Sequence, residues 1–137
     1  MPNHFHMIIK QKEKESIKKF TQSLFTRYTM YFNKKHKRIG GLFQSRYKAT
    51  NVINKEHLLY VSKYLHLNPK EISHDIESAY SSYSDYLGLT NTNWLNKKII
   101  LDEFKKSSYM KFNKIKTYKQ FVEEWTKDLP QYEFGFT

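Results

Sequence analysis

The chain of 137 residues has no cysteine, which excludes a disulfide framework and any Cys-based zinc site. Glycine and proline are scarce, at four and three residues, and no Gly/Pro/Ser-rich stretch divides the chain. The sequence also has no apolar run long enough to cross a membrane and no secretory signal pattern. We therefore expect one cytoplasmic domain with a C-terminal extension, stabilised by its hydrophobic core alone.

Acidic residues are few as well. The chain has 13 Asp and Glu and 24 Lys and Arg, which gives a net charge of +11, and 17% of its residues are aromatic. This composition favours nucleic acid as the partner, because basic side chains displace counterions from phosphates and aromatic rings stack on unpaired bases. Composition alone leaves open the alternative that the charge serves only solubility.

Alternating side chains predict two β-strands. In the first, Asn3 to Lys10, one face carries His4 and His6, and the apolar face is predicted to be buried: Phe5, Met7 and Ile9. The second strand, Leu42 to Val52, has a polar face that is two-thirds cationic: Gln44, Arg46 and Lys48.

Helical periodicity predicts the remaining elements. A long amphipathic helix is expected from Lys14 to Lys35, and Gly40-Gly41 should end it. A second helix should begin at an Asn54 cap, end near Asn68 before Pro69, and direct three apolar side chains to the core: Leu58, Val61 and Leu65. A short turn is expected at Ser84 to Leu87, and two more helices around Lys97 to Lys106 and Tyr118 to Lys127. The order of elements predicts an α+β fold.

Four side chains in these elements could carry chemistry. His4 and His6 place two imidazoles close enough to bind one divalent cation. Tyr64 and Asn68 lie four residues apart on one face of a helix, so Asn68 could add a third ligand for Mg²⁺ or Mn²⁺. Tyr64 could then attack a phosphate held on that metal. His66 lies on nearly the opposite side of this helix and is predicted to be structural or exposed.

The cationic face of the second strand has two interpretations. Neighbouring strands would bring it near the histidines, where Arg46 and Lys48 could hold a nucleic-acid backbone. The alternative is an ordinary solvated face.

The chain resembles the REP-associated tyrosine transposases, the single-tyrosine HUH nucleases related to insertion sequence 200 transposases. The resemblance rests on segments that follow in order: Met1-Pro2-Asn3-His4-Phe5-His6, Gly41-Leu42-Phe43-Gln44-Ser45-Arg46-Tyr47-Lys48, Tyr64-Leu65-His66-Leu67-Asn68-Pro69, and Ser81-Ser82-Tyr83 with Tyr86-Leu87-Gly88. It implies a ferredoxin-like α+β palm with an antiparallel sheet, and metal-dependent cleavage and rejoining of single-stranded DNA at hairpin-flanked repeats. It also implies that His4, His6 and Asn68 bind the metal and that Tyr64 forms a 5′-phosphotyrosine.

The resemblance departs from the family pattern at the start of the chain. Family members carry a strand, a helix and a further strand before the Met-Pro-Asn-His segment. We therefore expect a catalytic domain over residues 1–89 that lacks this N-terminal part, followed by a helical extension over residues 90–137. A start site placed too far downstream, a decayed fragment, or a short form completed by a partner chain in a homodimer would each explain the departure.

Two functions of other classes stay open at this point. The first is a non-catalytic DNA-binding remnant of such a transposase. The second is a zinc-binding structural module, which is disfavoured because the chain has no Cys and no obvious fourth ligand.

Overall fold

Helices and turns form the regular structure of residues 4–124, which are the residues that the computed structural model describes. In chain order they are α1 (Ser16–His36), α2 (Lys55–Leu67), a 3₁₀ turn (Asn68–Glu71), α3 (Tyr83–Tyr86), α4 (Lys98–Lys106), α5 (Ser108–Phe112) and a π-helical turn (Gln120–Glu124). None of the helices in this part of the chain has the length and apolar character needed to cross a membrane.

The predicted α+β fold with an antiparallel, ferredoxin-like sheet is wrong, because residues 4–124 contain no β-strand. Both segments predicted as strands are irregular where they are described, and the face expected to be buried is exposed: Phe5 at 51%, Met7 at 42% and Ile9 at 37%. Alternation assigns side chains to two faces, but a strand also needs a neighbour that pairs its backbone N–H and C=O groups. The described residues supply no such neighbour.

The described residues fall into two compact units. One comprises residues 4–6 and 51–124, and the other comprises residues 7–50. The hydrophobic core lies in the first unit and is formed by Leu59, Ile76, Tyr83, Tyr86, Ile100, Phe104, Met110, Tyr118, Phe121 and Val122.

Helix α1 is the main element of the second unit and confirms the predicted helix, although its apolar residues Phe20, Leu24 and Tyr28 are exposed. Its last residue is His36, before the predicted stop at Gly40-Gly41, and the next residue, Lys37, adopts a left-handed conformation and donates its backbone N–H to the carbonyl of Asn33. Phe25 packs on Phe43, from the segment after the helix, with ring centroids 4.7 Å apart. Aromatic side chains of α1 thus pack against the segment that follows it within the same unit.

Helix α2 begins and ends as predicted. The Asn54 side chain accepts a hydrogen bond from the backbone N–H of His57 at 2.7 Å, and Pro69 follows the last residue, Leu67, within a 3₁₀ turn. The predicted core line is one residue out of register: Leu58, Val61 and Leu65 are half-buried, whereas the buried residues of the helix are His57, Leu59, Ser62 and His66. Three of these four buried residues are polar, so a search for apolar periodicity does not find them.

Hydrogen bonds explain why polar side chains occupy the buried side of α2. The Nδ1 atom of His66 lies 2.9 Å from the hydroxyl of Tyr118, and its Nε2 atom lies 2.9 Å from the hydroxyl of Ser82. Tyr118 in turn donates to Ser62 at 3.1 Å, and Ser62 donates to the carbonyl of Leu59 at 2.8 Å. A neutral imidazole with its proton on Nδ1 satisfies all four bonds, and burial lowers the pKa of His66 from 6.5 to about 4.

Of the elements after residue 68, all but α5 (Ser108–Phe112) were predicted from the sequence. Helices α3 and α4 confirm the predicted turn and the predicted helix around Lys97 to Lys106. The last predicted helix starts at Tyr118 and continues as the π-helical turn, and its remainder lies outside the described residues. This C-terminal segment, residues 118–124, packs against α2.

Two phenylalanines test where the stability resides. Phe121 is fully buried, whereas Phe112 is 85% exposed. We predict that Phe121→Ala lowers the free energy of unfolding by about 3–5 kcal/mol, and that Phe112→Ala lowers it by about 0.5 kcal/mol or less. Urea denaturation followed by circular dichroism measures both changes, and similar losses in the two variants would contradict the assigned core.

The buried His66 predicts a pH dependence of stability. The unfolded chain binds a proton at His66 near pH 6.5, whereas the folded chain does so only near pH 4. The contribution of His66 to the free energy of unfolding is therefore complete above pH 6.5. It falls as the pH drops toward 4, by about 3 kcal/mol in total. Urea denaturation between pH 7.5 and 4.5 measures the slope, and it should be shallower in His66→Asn, which cannot titrate.

Candidate active site

Helix α2 presents Tyr64 on the side away from the core. Tyr64 lies about 200° around the helix from both Ser62 and His66, and these two residues are buried. The Tyr64 side chain is consequently 36% exposed.

One histidine of the N-terminal segment, His6, lies next to this tyrosine, and His4 lies next to His6. The rings of His4 and His6 are 5.1 Å apart and perpendicular to each other. The ring of His6 lies 6.4 Å from the ring of Tyr64. The structure thus brings together the predicted site residues His4, His6 and Tyr64, although Tyr64 lies about sixty residues after the histidines in the sequence. Residues 4–6 form no strand.

The distance between the two histidine rings agrees with a shared divalent cation, and metal binding by them stays a prediction. Two imidazoles that share one cation have ring centroids about 5 Å apart, because each metal–nitrogen bond is about 2 Å long. Burial, and then the nearby His4, lower the pKa of His6, which favours the neutral form that binds metals. Within residues 4–124 no three His, Asp or Glu side chains form a metal site, so another kind of donor would have to complete this one.

Asn68 is the predicted third ligand. It follows α2 directly, and its backbone N–H donates to the carbonyl of Tyr64 one turn earlier. Its side chain is buried, and the amide nitrogen has no hydrogen-bond partner among the described residues. This nitrogen is an N–H donor, which calls for an acceptor and not for a cation, and a metal would bind the amide oxygen instead. Its role in binding a metal stays a prediction.

The structure does not support a common cationic face for Gln44, Arg46 and Lys48. They belong to the unit of residues 7–50, where all three are exposed, and the strand that was expected to align them is absent from the described residues. Their contact with DNA stays a prediction.

Sequence reasoning missed the contacts by which residues 118–124 join α2 and α3. The Lys63 ammonium lies 5.4 Å from the centre of the Phe121 ring, and Tyr83 donates a hydrogen bond to Glu123 at 2.7 Å. A signal for this segment was present, because Tyr118, Phe121 and Val122 follow the three- and four-residue steps of a buried helical face. Its contact with α2 is a long-range feature that spacing does not reveal.

One family comparison bears on this site. Residues 1–68 match the family model described as Transposase IS200 like. The match covers 68 of 137 residues, just under half of the chain, and it includes every predicted site residue from His4 to Asn68. No curated protein and no solved structure is significantly similar to the chain.

The match spans both parts of the site, because His6 lies near its beginning and Tyr64, whose ring is 6.4 Å away, lies near its end. It does not distinguish the REP-associated group from other members. Residues 1–68 are therefore similar to IS200-like transposases.

Proposed function

We propose that this chain cleaves and rejoins single-stranded DNA at hairpin-flanked sites, as the REP-associated group does, through a 5′-phosphotyrosine on Tyr64. The observation that carries the proposal is the position of the His6 ring 6.4 Å from the Tyr64 ring, with His4 beside it. A nucleophile next to two metal-binding side chains is the arrangement that phosphoryl transfer needs.

The reaction is a transfer between two oxygen atoms. The phenol oxygen of Tyr64 forms a bond to phosphorus, and the bond from phosphorus to the 3′-oxygen breaks. The phenol proton leaves to solvent, and the departing 3′-oxygen takes up a proton to become a free hydroxyl. One phosphoester replaces another, so the strand can be rejoined by the reverse attack without ATP.

The protein's part in this reaction is to hold and orient. His4, His6 and Asn68 would hold the cation, and α2 holds Tyr64 at the surface beside them. A bound Mg²⁺ or Mn²⁺ supplies positive charge that polarises the phosphoryl oxygen and favours loss of the phenol proton, whose pKa in a free side chain is about 10.

A non-catalytic DNA-binding protein is the second candidate function. The observation that favours it is the absence of a sheet from residues 4–124, since the resemblance implies an active site built on one. Both functions require DNA binding, and only the first requires a covalent bond to Tyr64.

A covalent adduct separates the two functions. We predict that the purified chain, incubated with Mn²⁺ and a single-stranded hairpin oligonucleotide, gives a protein–DNA complex that survives denaturing electrophoresis. Tyr64→Phe should abolish it because the nucleophilic oxygen is gone. Tyr60→Phe is the matched control, since it removes the same atom one turn earlier on α2 and should keep the adduct. No adduct from a folded wild-type sample would leave DNA binding as the function.

Metal binding can be measured independently of cleavage. We predict that His6→Ala weakens Mn²⁺ binding about tenfold or more, because loss of even an outer-shell partner commonly costs 10- to 100-fold. Electron paramagnetic resonance of free Mn²⁺ gives the affinity. The exposed His74, in the same unit, provides the control: His74→Ala should bind like the wild type, and equal weakening in both variants would count against the His4–His6 site.

A further inference from the structure

Residues 97–119 are strongly basic. They contain eight lysines against two acidic residues, a net charge of +6, and they lie beyond the part of the chain that matches the family model. Lys119 pairs with Glu77 at 2.6 Å, and Lys97 donates to the carbonyl of Asp85 at 2.7 Å. The other six have no ion pair within residues 4–124: Lys98, Lys105, Lys106, Lys111, Lys114 and Lys116.

Helix α5, in the middle of this segment, exposes two aromatic rings. Met110 is its buried residue, and the Met110 backbone N–H donates to the Ser107 hydroxyl at 3.4 Å. Tyr109 and Phe112 lie three residues apart on neighbouring positions of the helix surface, with 43% and 85% of their surface exposed. Burial of a Phe side chain stabilises a fold by about 1.5–3 kcal/mol. Because Phe112 is exposed, it does not contribute this stabilisation and is available for contact with a ligand.

Both rings line one open cavity of about 500 Å³ between α2 and α5. This volume lies within the range of about 300–1,000 Å³ that is usual for small-molecule sites. The charged side chains of the cavity balance one another: Lys55 pairs with Glu103 at 3.0 Å, and Lys106 faces the same space as Glu56. The charges that line the cavity therefore cancel, while the excess positive charge of residues 97–119 lies on lysines that are exposed and near the cavity residues in the sequence.

We infer that this cavity and the lysines of residues 98–116 bind single-stranded DNA. A base stacks on Phe112 and Tyr109, and the backbone phosphates contact the lysines. An unpaired strand fits best because its bases are free to stack on aromatic rings, whereas the bases of a duplex are stacked on one another. The choice of DNA as the ligand rests on the proposed function, but binding here requires neither the Tyr64 oxygen nor a metal.

The test uses the full chain carrying Tyr64→Phe, in EDTA, so that cleavage cannot contribute. Fluorescence anisotropy with a labelled oligo(dT) of about twenty nucleotides, longer than one typical single-strand site, gives the Kd. Phe112→Ala should weaken binding about tenfold, as expected when one base no longer stacks, and Phe112→Trp should restore it. Trp94→Ala is the control, because Trp94 is also 85% exposed and does not line the cavity. The Kd of this variant should not change.

The lysines are tested through the salt dependence of the same Kd. Removing one lysine that binds a phosphate of the single strand should make the slope of log K against log salt shallower by about 0.7. Lys106→Gln and Lys111→Gln should each have this effect, whereas Lys12→Gln, which changes an exposed lysine of the other unit, should not.

Several results would overturn the inference. They are an unchanged Kd in Phe112→Ala, equal losses in Trp94→Ala, equal slope changes in Lys12→Gln, or tighter binding of a duplex or of single-stranded RNA. Failure of the wild-type chain to form an adduct, with the Phe112 effect intact, would instead refute the proposed cleavage and leave this DNA-binding surface standing.

Discussion

The structure of the candidate site depends on the buried contact between His66 and Tyr118. This hydrogen bond, at 2.9 Å, joins the inner side of α2 to the C-terminal segment 118–124. Tyr64 lies on the opposite side of the same helix, so the contact that fixes the inner side also fixes the rotation that turns Tyr64 outward. Hydrophobic packing alone would tolerate a helix that rolls by a few degrees, because apolar contacts have little directional preference.

The polar network makes that rotation specific. His66, Tyr118 and Ser62 are buried, and each makes its hydrogen bonds only in one arrangement. A rotation of α2 would leave buried donors and acceptors unpaired, at a cost of about 1–3 kcal/mol for each group. A segment outside the region of the family match therefore supports the tyrosine inside it, which links the C-terminal half of the chain to the proposed chemistry.

Local signals in the sequence predicted most of the helices correctly, whereas the two predicted strands are absent from residues 4–124. The Asn54 cap, Pro69 and the apolar steps of α1 act within a few residues, so they appear in the sequence as they do in the structure. A strand depends on a distant partner, and alternation over residues 3–10 carries no information about one. The spacing of the histidines and the family resemblance predicted His6 and Tyr64, whose rings lie 6.4 Å apart, whereas the cavity at Phe112 went unpredicted because no helix was predicted over residues 108–112.

The distribution of charge explains why a separate binding surface is useful. Residues 51–68, which contain α2 and Tyr64, hold two lysines and one acidic residue, a net charge of only +1. Residues 1–50 carry twelve basic residues against two acidic ones, a net of +10, and residues 97–119 carry +6. A DNA strand binds most tightly where many lysines attract it, and α2 offers few. Residues 97–119 supply this positive charge outside α2, so the proposed surface can attract the strand while α2 carries the proposed nucleophile Tyr64.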